Sequence, residues 1–139
     1  RPFAQPAVEK TMRNRAFELL DFMGLGQKMN EDAEDLAYGE RRRLEIARAL
    51  AIEPRLLLLD EPAAGMNPNE THELDEHIKR IRDRGVTIVL VEHDMNLVMG
   101  ISDQITVLNF GEKIAEGPPS AVQSDPVVIE AYLGEEEVL

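Results

Sequence analysis

The sequence predicts an α/β fold built on a parallel strand–helix–strand unit, and three observations carry that prediction. Two short, nearly continuous apolar runs, Leu56–Leu59 and Val86–Val91, are bounded by turn signals, the first by Pro54 and Pro62. Between them the apolar residues recur at helical spacing, at Leu74, Ile78 and Ile81. Asn67 as N-cap, Pro68 at the first helical position and Glu70 completing a capping box start that helix, and Gly85 stops it. Runs of this kind suit strands buried on both faces of a parallel sheet. Such a crossover is right-handed in nearly all known cases.

The other elements follow in chain order. Ala7–Met23 carries Val8, Met12, Ala16, Leu19, Leu20 and Met23 at helical spacing, ended by Gly24 and Gly26. Gln27–Asp35 is polar and acidic and reads as a loop or frayed helix. Gly39–Ile52 predicts a second helix with Leu44, Ala47, Leu50 and Ala51 on its apolar side, closed by Pro54. Asp94 is placed to cap a short helix through Met99. Gln104–Asn109 and Glu112–Glu116 read as strands joined at Phe110-Gly111. Ser120–Ser124 and Pro126–Leu133 predict short helices, the second ended by Gly134, and Glu135-Glu136-Glu137 reads as a solvated tail.

Composition narrows the function classes. The 139 residues are 43% hydrophobic and 30% charged, the balance of an ordinary globular domain. With 15 basic and 27 acidic residues the net charge is −12, which argues against a nucleic-acid surface, since that needs clustered cations. A single nucleotide is compatible with it, because backbone N–H groups and Mg²⁺ can carry the positive charge. Cysteine is absent, which excludes disulfides and thiolate sites. No apolar run approaches the ~20 residues of a membrane span, and no signal-peptide pattern opens the chain. Its start at Arg1 rather than at Met reads as that of a fragment.

The chemistry gathers at strand ends. Leu56–Leu59 runs into Asp60-Glu61, two carboxylates where an apolar strand stops, and open α/β sheets bind ligands beyond such ends. Asp60 has the hard oxygens that hold Mg²⁺, directly or through water. Glu61 projects differently and is placed to orient or deprotonate an attacking water. Alone, an apolar run ending in acids is common and equally fits a solvated turn. His93, two residues past Val91, is expected to open on the same sheet edge, where it can polarise the water or touch a transferring phosphoryl group. His72 and His77, on the crossover helix, are expected at the surface. Leu36-Ala37-Tyr38-Gly39-Glu40 leads into a helix whose N–H groups suit an anion, with Gly39 allowing close approach. Arg41-Arg42-Arg43 is expected to spread around that helix, with some of them in salt bridges to the acidic surface, rather than to clamp phosphate.

The order of these segments is more specific than any one of them. Leu36–Glu40, then Arg43–Leu50, then Leu56–Pro62, then Ala64–Asn67, then Val91–Asp94: this sequence of motifs resembles the ABC transporter ATPase family over nearly the whole chain. Leu-Ala-Tyr-Gly, Asp60–Pro68, Glu92–Met95 and Ala131–Glu135 resemble its branched-chain amino-acid importer subfamily in particular.

The resemblance implies a partial P-loop-NTPase-like core, a parallel βαβ unit with a C-terminal β-hairpin and short helices, beside an N-terminal helical-subdomain segment. Residues 1–52 would belong to the helical subdomain and 53–139 to the C-terminal half of the nucleotide-binding core. It implies ATP and Mg²⁺ as cofactors, with Leu36, Ala37, Tyr38, Gly39 and Glu40 as the signature motif facing the γ-phosphate of the opposite subunit. Asp60 would organise the metal, Glu61 and His93 would be catalytic, and Asn67 would lie in the D-loop, besides its role as N-cap. Implied partners are transmembrane permease subunits and a second ATPase subunit, like or unlike, on the cytoplasmic face of the cell membrane, and no nucleic acid. The signature departs from the usual Leu-Ser-Gly-Gly-Gln: Ala37 and Tyr38 stand for Ser and Gly, and Glu40 for Gln. The phosphate loop Gly-x-x-x-x-Gly-Lys-[Ser/Thr] does not occur in these residues, so the chain alone is expected to be inactive. A DNA-maintenance ATPase head shares part of this logic, but the charge and the lack of heptads oppose it. A non-catalytic interaction fragment has no need of Asp60, Glu61 and His93 together.

Overall fold

The computed structural model describes residues 6–133, so Gly134 and the Glu135–Glu137 tail lie outside the described residues. The chain divides into two compact units, 1–91 and 92–139.

The first unit opens with α1 (Pro6–Phe22). Gly24 follows at φ +72, the left-handed conformation that ends a helix without a Cβ clash. Burial begins at the end of α1, at Phe22 and the following Met23, and the guanidiniums of Arg80 and Arg84 lie 4.6 and 3.5 Å from the Phe22 ring centre. The expected apolar stripe is not realised further back, where Val8 and Met12 are exposed. The polar stretch that follows folds as two 3-10 turns, Gly26–Lys28 and Ala33–Asp35. Next come α2 (Tyr38–Leu50), β1 (Leu56–Asp60), α3 (Pro68–Asp83) and β2 (Thr87–Val91). On α2, Gly39, Ile46, Ala47 and Leu50 are the buried residues, whereas Ala51, just past its end, is exposed. Leu74, Ile78 and Ile81 of α3 are at most 3% exposed, so the stripe read from their spacing is the core face.

The strands β1 and β2 pair in parallel, Leu56 opposite Thr87 through Asp60 opposite Val91. They are not buried on both faces. Leu57 and Leu59 are buried, but Leu56, Leu58, Val89 and Val91 are 51, 68, 49 and 56% exposed. Side chains alternate along a strand, and the residues of this unit cover one side only. An apolar run identifies a strand; its neighbours decide how many of its faces are covered.

In the second unit Asp94 caps α4 (Met95–Ile101) by accepting from the Leu97 N–H at 3.1 Å. Strands β3 (Ile105–Asn109) and β4 (Glu112–Gly117) form the antiparallel hairpin, with both turn residues at positive φ, Phe110 at 48° and Gly111 at 78°. Helices α5 (Pro119–Gln123) and α6 (Pro126–Val128) follow, and a π-helical turn continues to Leu133. Val98, Ile105, Val107, Val122 and Val128 make this unit's own core. Among the described residues no helix is long and apolar enough to cross a membrane.

Candidate functional site

Strand β1 delivers Asp60 and Glu61 to its carboxyl end, beside the end of β2. Asp60 is the last strand residue, exposed and in register with Val91. The backbone then breaks sharply: Glu61 sits at φ 44, in the left-handed region that non-glycine residues seldom occupy. Two bonds hold it there, the Glu61 N–H donating to Val91 O at 2.8 Å and the Ala64 N–H donating to Glu61 O at 3.1 Å. Such conformations cost of order 1–3 kcal/mol and persist where the surroundings over-determine them, often at functional sites. The chain therefore leaves the strand line between the two carboxylate residues, Asp60 on the strand and Glu61 at the bend. A cleft lined by Ile46, Ala49, Leu57, Leu59, Asp60 and Pro62 runs from this strand end between β1 and α2.

The Leu36–Glu40 turn is built at the start of α2. Leu36 is buried and anchors it. Glu40 reaches back so that its Oε2 accepts from the Ala37 N–H at 2.9 Å, and Lys28 Nζ contacts both carboxylate oxygens, at 3.0 and 3.1 Å. The Lys28 hydrogen bond first, and the Ala37 N–H second, hold the Glu40 carboxyl below its ordinary value, and the Lys28 ammonium is correspondingly raised. Lys28 thereby offsets the negative charge of Glu40 at a turn read as phosphate-facing. Sequence reasoning missed Lys28, because nothing local links a lysine to a glutamate twelve residues on.

The start of α3 lies against this turn. Asn67 Oδ1 accepts from the Glu70 N–H at 2.9 Å, and Glu70 Oε2 accepts from the Asn67 N–H at 3.0 Å, completing the capping box. A cleft between the two helix starts is lined by Ala37, Gly39, Glu40, Arg43, Met66 and Glu70, among others. The side of Gly39 where a Cβ would project is taken by Glu70, whose Oε1 would stand 3.1 Å from it.

The three arginines spread as the sequence predicts. Arg41 donates to the carbonyls of Leu36 and Glu34, Arg42 to the Tyr38 hydroxyl and Glu45, and Arg43 to Met23 O at 3.1 Å while pairing with Glu73 at 3.6 Å. His93 is exposed at the opening of the second unit, its N–H donating to Glu92 Oε2 at 3.2 Å. His72 is exposed as expected, whereas His77 is half-buried, and both its ring nitrogens are buried without a hydrogen-bond partner. Burial first, and then the charges of Arg43 and Arg80, push its imidazole below the ordinary value. Among the described residues, His72, Asp75 and Glu76 come close enough to share a metal. Lys79 already pairs with both carboxylates, at 3.1 and 3.2 Å, so that group is an ion-paired helix face.

Comparison with known proteins finds both sequence and fold relatives. Residues 3–64 match the family model described as ABC transporter, and residues 112–138 match that described as branched-chain amino acid ATP-binding cassette transporter. The chain is 54% identical over 123 residues to the high-affinity branched-chain amino acid transport ATP-binding protein LivG of Escherichia coli, covering 88% of this chain and 48% of that protein. It is 47% identical over 137 residues to the corresponding protein BraF of Pseudomonas aeruginosa, covering 96% of this chain and 54% of the relative. The crystal structure of the ADP conformation of an ATP-binding cassette of an ABC transporter superposes with TM-score 0.80 at 34% identity, over 89% of this chain and 50% of that one. The chain therefore spans about half the length of the relatives it matches.

Proposed function

The chain belongs to the ABC transporter family of ATP-binding proteins, and from that premise we propose that it supplies the hydrolysis side of the nucleotide site in an importer ATPase for branched-chain or other hydrophobic amino acids. The observation that carries this reading is the end of β1: Asp60 at the last strand position, then Glu61 bent into the left-handed region and tied to Val91.

Two carboxylates of hard oxygen donors fit Mg²⁺, and α2 offers N–H groups at a helix start whose N-cap residue has no side-chain acceptor, a fit for phosphate oxygens. Bound there, Mg²⁺ would neutralise charge developing on the phosphates. Asp60 would hold the metal, and Glu61 would orient the attacking water and take its proton. His93 would polarise that water or the phosphoryl group. The turn formed by Leu36, Ala37, Tyr38, Gly39 and Glu40 would donate to the γ-phosphate held by a second ATPase subunit, and Asn67 would stand in the D-loop. Transmembrane permease subunits would hold the assembly on the cytoplasmic membrane face. The 139 residues by themselves would turn over ATP negligibly, lacking a phosphate loop.

A chimera tests this: residues 1–139 replace the matching half of the Escherichia coli relative, and branched-chain amino-acid uptake is measured in cells lacking that relative. Uptake should be restored by the chimera and lost in its Glu61→Gln and Asp60→Asn variants, with a fall in ATP hydrolysis of at least about 100-fold, the scale of losing a positioned base. Undiminished uptake in the Glu61→Gln chimera would overturn the assignment.

A further inference from the structure

The turn that starts α2 and the turn that starts α3 touch at two points. A Cβ on Gly65 would stand 3.4 Å from Tyr38 Cε1 and 3.6 Å from Cζ and Oη, so the phenol ring closes on a bare Cα. Gly65 is at φ +77, where a side chain is strained in any case. At the second point Glu70 lies against Gly39, with Cδ 3.2 Å from where a Cβ would be, while its Oε2 holds the Asn67 N–H. Tyr38 is itself held from behind: Arg42 Nε and NH2 donate to its hydroxyl at 3.3 and 3.2 Å, with the guanidinium 5.5 Å from the ring centre. Yet Tyr38 is 47% exposed. A clamped, half-exposed aromatic does little to fill a core; here it bridges two turns.

We propose that Tyr38 is a positioning residue whose ring ties the Leu36–Glu40 turn to the Ala64–Asn67 turn, so that the two are ordered together. The inference rests on the proposed function only in calling both turns nucleotide-facing; the contact stands without it. In this role the Tyr38 ring acts through Gly65, separately from any donation to phosphate by the backbone of its turn. An aromatic ring against backbone is a stiff link, since only two side-chain torsions have to be fixed.

Native-state amide hydrogen exchange on the 139-residue chain tests this, comparing the wild type with Tyr38→Ser and Tyr38→Phe. Tyr38→Ser should speed exchange at Ala64, Met66 and Asn67 by about ten-fold, the scale of one lost aromatic contact. Tyr38→Phe keeps the ring, loses the Arg42 bond and should exchange as the wild type does. The amides of Leu74 and Ile78 should be unchanged in both. Unaltered exchange at 64–67 in Tyr38→Ser would overturn the proposal. So would an equal rise in Tyr38→Phe, or a rise of the same size at Leu74 and Ile78. Because no nucleotide enters the measurement, its failure leaves the ATPase reading intact, and a chimera that fails to transport leaves this coupling intact.

Discussion

At the start of α3, Asn67 and Glu70 exchange two hydrogen bonds, at 2.9 and 3.0 Å; at the start of α2, Glu40 accepts from Ala37 at 2.9 Å and Ala37 has no side-chain oxygen with which to return the bond. The two helices carry the same glutamate three residues after the cap and differ in the cap itself. A closed box satisfies the helix's own donors and suits a structural role. A half-closed box is weaker as a cap, and it sits in the turn that resembles a phosphate-contacting motif. The comparison separates a helix start built for stability from one with donor capacity in reserve, and it shows why Asn67 is well explained by capping alone.

Four substitutions sharpen or break that contrast. The largest effect is expected away from both caps. Leu74 is fully buried on α3, so Leu74→Ala should cost about 2–5 kcal/mol in urea unfolding. If its cost is no greater than that of a cap variant, α3 is held by its end rather than by its packing. Asn67→Ala opens the closed box and should cost about 1 kcal/mol by the same measurement. Ala37→Asn closes the open one and should stabilise by about 0.5–1 kcal/mol; no gain would mean that the α2 donors are already satisfied. The fourth prediction concerns the α3 face near Met23 and Gly24, where burial and the neighbouring Arg43 and Arg80 depress the His77 imidazole. An unfolded chain then binds more protons than the folded one as pH falls below about 6.5, so stability should fall with it. Wild type should lose urea resistance between about pH 7.5 and pH 5.5, and His77→Gln should lose less. An equal loss in both would place the sensitivity elsewhere.

Much of the fold was legible because its signals are local. The capping box at Asn67, the glycine stop at Gly85 and the turn at Phe110-Gly111 each depend on residues a few positions apart, and each is found where the pattern puts it. Asp60 at the strand end was legible for the same reason, since the residue that follows a short apolar run takes the carboxyl end of the strand. Burial was less legible. Val8 and Met12 have the spacing of a packed stripe and are exposed, while His77 is polar and half-buried, with both ring nitrogens turned away from solvent. Periodicity says which residues share a face, and only neighbours from distant segments decide whether that face is covered.

The division follows the range of the forces involved. Short-range steric and hydrogen-bonding preferences, read within one helical turn or one strand, determined the α/β class, the element order, the placement of Asp60 and Glu61, and the motif order that marks the family. Contacts between segments far apart in the chain were decided only by the tertiary structure. They include Lys28 on Glu40, Glu70 against Gly39, Tyr38 on Gly65 and the single covered face of the β1–β2 sheet. Each depends on two surfaces meeting, and no property of either segment alone specifies its partner.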